Sequence, residues 1–164
     1  MPLVGIIAKK RDFQAIKEEL QNYNIEFIHI NKDSIKNIKN IIFEEIIFLE
    51  DINLNSDEYE FMNKIVLKTK YVIVNADIEI NILKYIKIDC PIKVITFGFN
   101  SKATITISSV KDDKIIVCLQ REIEKTDKGI IESQEKEINI IDNSNRKIHN
   151  KLVVFIVKEL HKIK

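Results

Sequence analysis

Two polar groupings in this chain stand where chemistry could be done. The basic run Lys9-Lys10-Arg11 follows the apolar stretch Leu3 to Ala8, and Asn75-Ala76-Asp77, with Glu79, follows Tyr71-Val72-Ile73-Val74. A cationic turn between a strand and a helix start offers an anion both mobile charge and helix dipole, so the first grouping suggests a phosphate or acidic-ligand site. The simpler reading is a solvated basic loop. Asn and Asp at the carboxyl end of a parallel strand lie where open α/β sheets bind ligands, or they cap the next helix. His29, His149 and His161 show no metal-ligand spacing with Cys90 or Cys118, which argues against a zinc site. No Gly-x-Ser-x-Gly is present, and neither cysteine has the context of a nucleophile. Both are expected to be reduced core thiols.

The elements that would position these groups follow an alternating pattern. Leu3 to Ala8 reads as a strand buried on both faces. Asp12 is the expected N-cap of a helix carrying Phe13, Ile16 and Leu20. Ile25 to Ile30 is a second strand, a polar helical segment covers about 33–40, and Glu45 to Leu49 is a third strand. Ser56 is expected to cap a helix to about Lys68, with Asp57 and Glu58 in its first turn. Tyr71 to Val74 and Lys93 to Phe97 supply two more strands, with a short helix between them near Glu79 to Ile86.

From Gly98 the period changes to two: Ile105 and Ile107 alternate with Thr104, Thr106 and Ser108, as on a sheet with one wet face. Ile115 to Leu119, Gly129 to Ser133 and Glu137 to Ile141 continue this antiparallel pattern. Gln120-Arg121 and Glu132 to Glu135 gather polar groups there, either as a wet face or as a partner surface. The stretch from Lys147 fits a strand at Leu152 to Val157, but its length and the spacing of Ile148, Leu152, Phe155 and Leu160 favour a helix. The expected fold is therefore α/β: a single domain with a mainly parallel sheet flanked by helices. A small antiparallel subsheet at about 103–141 precedes the last helix.

Composition narrows the function. With 26 basic and 25 acidic residues the net charge is +1, which does not fit a dedicated nucleic-acid binder. No basic region precedes the apolar start and no apolar run approaches the roughly 20 residues that cross a bilayer. A cytoplasmic protein without nucleic-acid or membrane partners is expected.

Three stretches together resemble the central ATP-binding domain of the Mur ligases, which add amino acids to peptidoglycan precursors, and of the related folylpolyglutamate synthases. Asp57-Glu58-Tyr59 through Lys64, followed by Tyr71 to Asp77, is similar to that family's Tyr- and Lys-bearing helix and its strand ending in Asn-x-Asp. Lys93 to Asn100 resembles its strand and Phe-Gly turn. His149-Asn150 is similar to its His-Asn-x-x-Asn. The likeness covers roughly residues 55–160, and more loosely the start.

The departures matter as much. The family's first strand enters a Gly-Thr-x-Gly-Lys-Thr/Ser loop whose amides wrap the phosphates and whose hydroxyl holds Mg²⁺. Here Lys9-Lys10-Arg11-Asp12 follows instead, and no glycine follows Gly5 in the loop. The family's Asp-His pair has no counterpart in Glu50 to Asn55, its second Asn would fall at Val153, and its Lys position holds Asn63. Lys64 stands about 100° away around the helix. The resemblance thus implies a domain that has lost ATP-dependent ligation. The expectation is a non-catalytic binding or regulatory module with no cofactor, whose ligand-binding residues are Lys9, Lys10, Arg11, Asn75, Asp77 and Asn150. Two alternatives stand beside it: a small α/β enzyme with its site at the strand carboxyl ends, and an oligomeric or accessory subunit. The partner, protein or small molecule, is left unnamed by the sequence.

Overall fold

The computed structural model describes residues 1–86, 91–125 and 127–162. Cys90 lies outside them. The fold class is α/β, with mainly parallel strands flanked by helices and a separate antiparallel strand pair. The chain forms two compact units: residues 1–74 with 78–94, and residues 75–77 with 95–164.

The first unit holds β1 (Leu3–Ile7), α1 (Lys10–Leu20), β2 (Glu26–His29), α2 (Ile35–Ile38), β3 (Glu45–Phe48), α3 (Ser56–Val66) and β4 (Tyr71–Asn75) up to Val74. Its strands lie in the order β4-β3-β1-β2, all parallel. Ile7, Ile46, Phe48, Val72 and Val74 cluster with Ile35 and Ile38 of α2 and Met62, Ile65 and Val66 of α3. Val4, Ile6, Ile47 and Ile73, which point the other way along the same strands, are fully buried too. Burial on both faces is what turns these strands into continuous apolar runs.

Three boundaries depart from the sequence expectations here. The N-cap of α1 is Lys9, not Asp12; Asp12 lies in the first turn, where a carboxylate suits the helix dipole. Asn55, not Ser56, caps α3. Its side chain accepts from the Glu58 N–H while the Glu58 carboxylate accepts from the Asn55 N–H, a reciprocal capping box. The helix expected over 79–86 is a single 3₁₀ turn, Ile82–Lys84. Tyr85 just beyond it is buried, stacking on Phe48 and Tyr59 with ring centroids 5.5 and 5.1 Å apart.

The second unit takes β5 (Lys93–Phe97) from Ile95 onward, then β6 (Ile105–Val110), β7 (Lys114–Leu119), β8 (Ile123–Glu124), β9 (Ile130–Ile131), β10 (Gln134–Asn139) and α4 (Asn145–His161). The strand order is β10-β7-β6-β5, with β6 parallel to β5 and the other two pairings antiparallel. The β8–β9 pair stands apart. A bulge between Ile107 and Ser109 breaks the expected alternation on β6, and Thr104 and Thr106, expected on a wet face, are buried. The last segment is a helix, as its length suggested. Leu152 to Val157 are six consecutive buried residues, so α4 is enclosed nearly all round at that level, and this gives it a strand-like sequence. Cys118 of β7 is a free, half-buried thiol. Among the described residues no helix is long and apolar enough to cross a membrane.

Candidate functional site

The polar centre of the second unit is the carboxylate of Asp77. It follows β4 after a tight turn in which the Asp77 N–H donates to the Asn75 side-chain oxygen at 3.0 Å. This Asx turn directs Asp77 toward the loop after β5. There the N–H groups of Phe99 and Asn100 donate to its two oxygens at 2.7 and 2.9 Å. His149, in the second turn of α4, places its Nε2 2.7 Å from the oxygen that Phe99 also uses. The imidazole lies edge-on to Phe97 and Phe99, with ring centroids 6.2 and 5.6 Å away. Asp77 therefore does not cap the next helical turn, one of its two sequence readings.

Gly98 makes this approach feasible. Its φ is +141°, and a Cβ there would lie 2.5–2.8 Å from the Asp77 carboxyl atoms. Glycine alone adopts that backbone without strain and leaves that space. Partial burial works to raise the Asp77 pKa, but the hydrogen bonds from Phe99, His149 and Asn100 outweigh it and hold the carboxyl below its ordinary value.

The loop carrying the donors is secured by contacts of its own. The Gly98 N–H donates to the Ile105 carbonyl at 3.1 Å and the Ala76 N–H to the Phe97 carbonyl at 2.7 Å. The Asn100 side chain accepts from the Lys102 N–H at 2.9 Å. At the end of β7, Gln120 Nε2 donates to the carbonyls of Ser101 and Ala103, each at 2.8 Å, and Arg121 donates to that of Lys102 at 3.2 Å. Gln120 and Arg121, read from sequence as part of a wet face or partner surface, here brace the loop.

Of the expected site residues, Asn75 and Asp77 are brought together. Asn150 follows His149 on α4, about 100° around the helix from it, and is buried. Sequence reading placed His149 only in a motif and in the test for metal spacing. It took Phe97-Gly98-Phe99-Asn100 as a turn, and so missed the partners of Asp77. The usable signal was a glycine between two aromatic residues where a strand ends.

Lys9, Lys10 and Arg11 belong to the first unit and are exposed. Between β1 and α1 stand only Ala8 and Lys9. The Ala8 carbonyl lies 2.7 Å from His29 Nε2, and the His29 ring stacks on Phe13 at 4.8 Å. The Arg11 guanidinium is 3.8 Å from the carboxylate of Asp12, which is buried. The helix start thus already carries an internal acidic group beside its cations. Elsewhere in the second unit, an open hollow of about 330 Å³ is lined by Lys125, Glu132, Ser133, Gln134 and Glu159, among others. Among the described residues no group of three or more His, Cys, Asp and Glu is arranged to hold a metal ion.

No family model and no curated protein matches this chain.

Proposed function

We propose that this chain is a non-catalytic, Mur ligase-like module that binds or regulates, with ATP-dependent ligation lost and any link to peptidoglycan synthesis one of descent. The observation that carries the reading is the two-residue connection from β1 to α1. A triphosphate cradle needs a run of several residues whose amides turn inward, some at positive φ, before the helix begins. Ala8 and Lys9 give neither the length nor the glycines, and Lys9 is extended at φ −63°, ψ 146°. Phosphoryl transfer depends on positioning and electrostatic stabilisation, so loss of the cradle removes its main means. The binding role falls to Asn75 and Asp77 at the end of β4, with Asn150, and to the exposed cations Lys9, Lys10 and Arg11. The setting that fits this reading is the cytoplasm.

Thermal unfolding with and without Mg·ATP tests the proposal. No stabilisation is expected at millimolar nucleotide. A site occupied at 100-fold over Kd would add about 2.7 kcal/mol, or roughly 5–11 °C for a domain of this size, and a shift of that order would overturn the reading.

A further inference from the structure

The hydrogen-bond donors around Asp77 form a receptor in their own right. The N–H groups of Phe99 and Asn100 converge with His149 Nε2 on one carboxylate, at 2.7–2.9 Å. Successive backbone amides aimed at one point make an anion-binding concavity, and a histidine adds a further donor. The loop is held independently of Asp77, by Gln120, Arg121, the Asn100 side chain and the Gly98 amide. The flanking rings of Phe97 and Phe99 fix the imidazole edge-on. The space over Gly98 is free of any side chain of its own and is filled by the Asp77 carboxyl group.

We propose that Gly98 to Asn100 and His149 constitute a receptor for a single carboxylate, and that its resident guest is the chain's own Asp77. The Asp77 and His149 side chains are 20% and 14% exposed, so the receptor opens to solvent. In the intact chain the guest is tethered, and a free carboxylate competes against an effective concentration of about millimolar or more. The site is therefore self-closed, and an outside carboxylate is admitted only as Asp77 leaves. This inference stands on the second unit alone and does not depend on the Mur ligase-like reading.

Chemical complementation tests it. Asp77→Ala removes the carboxylate but keeps Cβ, leaving room for formate more readily than for acetate. Formate is expected to raise the melting temperature of Asp77→Ala saturably, by about 3–6 °C at tenfold over its Kd. Sodium chloride at matched ionic strength should not reproduce this, and the wild type should not respond. Asp77→Asn, whose amide fills the space, should also be indifferent to formate. Asp77→Ala/His149→Ala should lose most of the response. If Asp77→Ala is unfolded in chloride, formate should restore cooperative unfolding. Absence of any saturable formate effect on Asp77→Ala, folded or unfolded, overturns the proposal. So does an equal effect on the wild type or on Asp77→Asn.

Discussion

Replacing Gly98 with alanine probes the site from its tightest point. The backbone at φ +141° is a region that L-residues enter at a cost of about 1–3 kcal/mol. The new methyl would also lie 2.5 Å from Asp77 Oδ2 and 2.8 Å from Oδ1, well inside contact distance. Asp77 must then withdraw from Phe99, Asn100 and His149. Its charge-assisted hydrogen bonds contribute about 1.5–3 kcal/mol where shielded, and partial exposure places the loss toward the lower figure. Together the two effects predict a destabilisation of about 2.5–4.5 kcal/mol for Gly98→Ala, read as a lower urea midpoint. The cost should fall to the backbone part, about 1–3 kcal/mol, when the same change is made in an Asp77→Ala background. Gly129→Ala is the control: its φ is not in the positive range, and its Cβ would meet exposed Asp127 Oδ1 at 3.0 Å. A loss below about 0.5 kcal/mol there is expected, as at ordinary surface positions. Gly98→Ala behaving like Gly129→Ala would refute the reasoning. So would an identical cost with and without Asp77, since the methyl would then have nothing to displace.

Other expectations follow from the same structure. Asp77 has a pKa held below the ordinary carboxylate value, so its contribution to stability is present above about pH 4 and is lost as pH falls through the folded-state pKa. The stability gap between wild type and Asp77→Asn, measured by urea unfolding from pH 7 to pH 3, should therefore narrow on acidification; a gap that widens would contradict the assignment. Asn55→Ala removes the side-chain acceptor of the α3 capping box, leaving only the bond from its backbone N–H to Glu58, and should cost about 1 kcal/mol, whereas Ser56→Ala should be close to neutral in the same denaturation assay. Tyr85→Ala removes a buried ring that stacks on Phe48 and Tyr59 and should cost about 3–5 kcal/mol. Burial pushes the Tyr85 phenol upward, so spectrophotometric titration should find it protonated after exposed tyrosines have ionised.

The parts of the fold legible in the sequence are those where burial dictates residue type. β1, β3 and β4 are covered on both faces, and Val and Ile dominate their centres for that reason. Features set by local polar chemistry were harder to place. Lys9 caps α1 with backbone geometry and no side-chain bond, so no capping residue marks the start, while Asp12 two residues into the helix looks like one. Ile-rich spacing over 79–86 fits a helix equally well as one 3₁₀ turn followed by a buried tyrosine. The bulge on β6 interrupts period-two counting at Ile107. As for the site, Asn75 and Asp77 were visible because they end a buried strand. Their partners were not, because the Asp77 contacts span 22, 23 and 72 positions, and no local spacing rule reaches that far.

That separation gives the second unit a sequence of assembly in time. A ribosome adding about 5–20 residues per second releases His149 about 4–14 s after Asp77. The two loop amides follow Asp77 by only 22 and 23 positions, so for about the later two thirds of that interval they have been synthesised, but the imidazole that shares an oxygen with Phe99 has not. A nascent chain halted before α4 would carry the amide pair with its carboxylate and lack the third donor. Protease resistance around residues 98–103 should accordingly appear in two stages as the chain lengthens, the second arriving with the final helix.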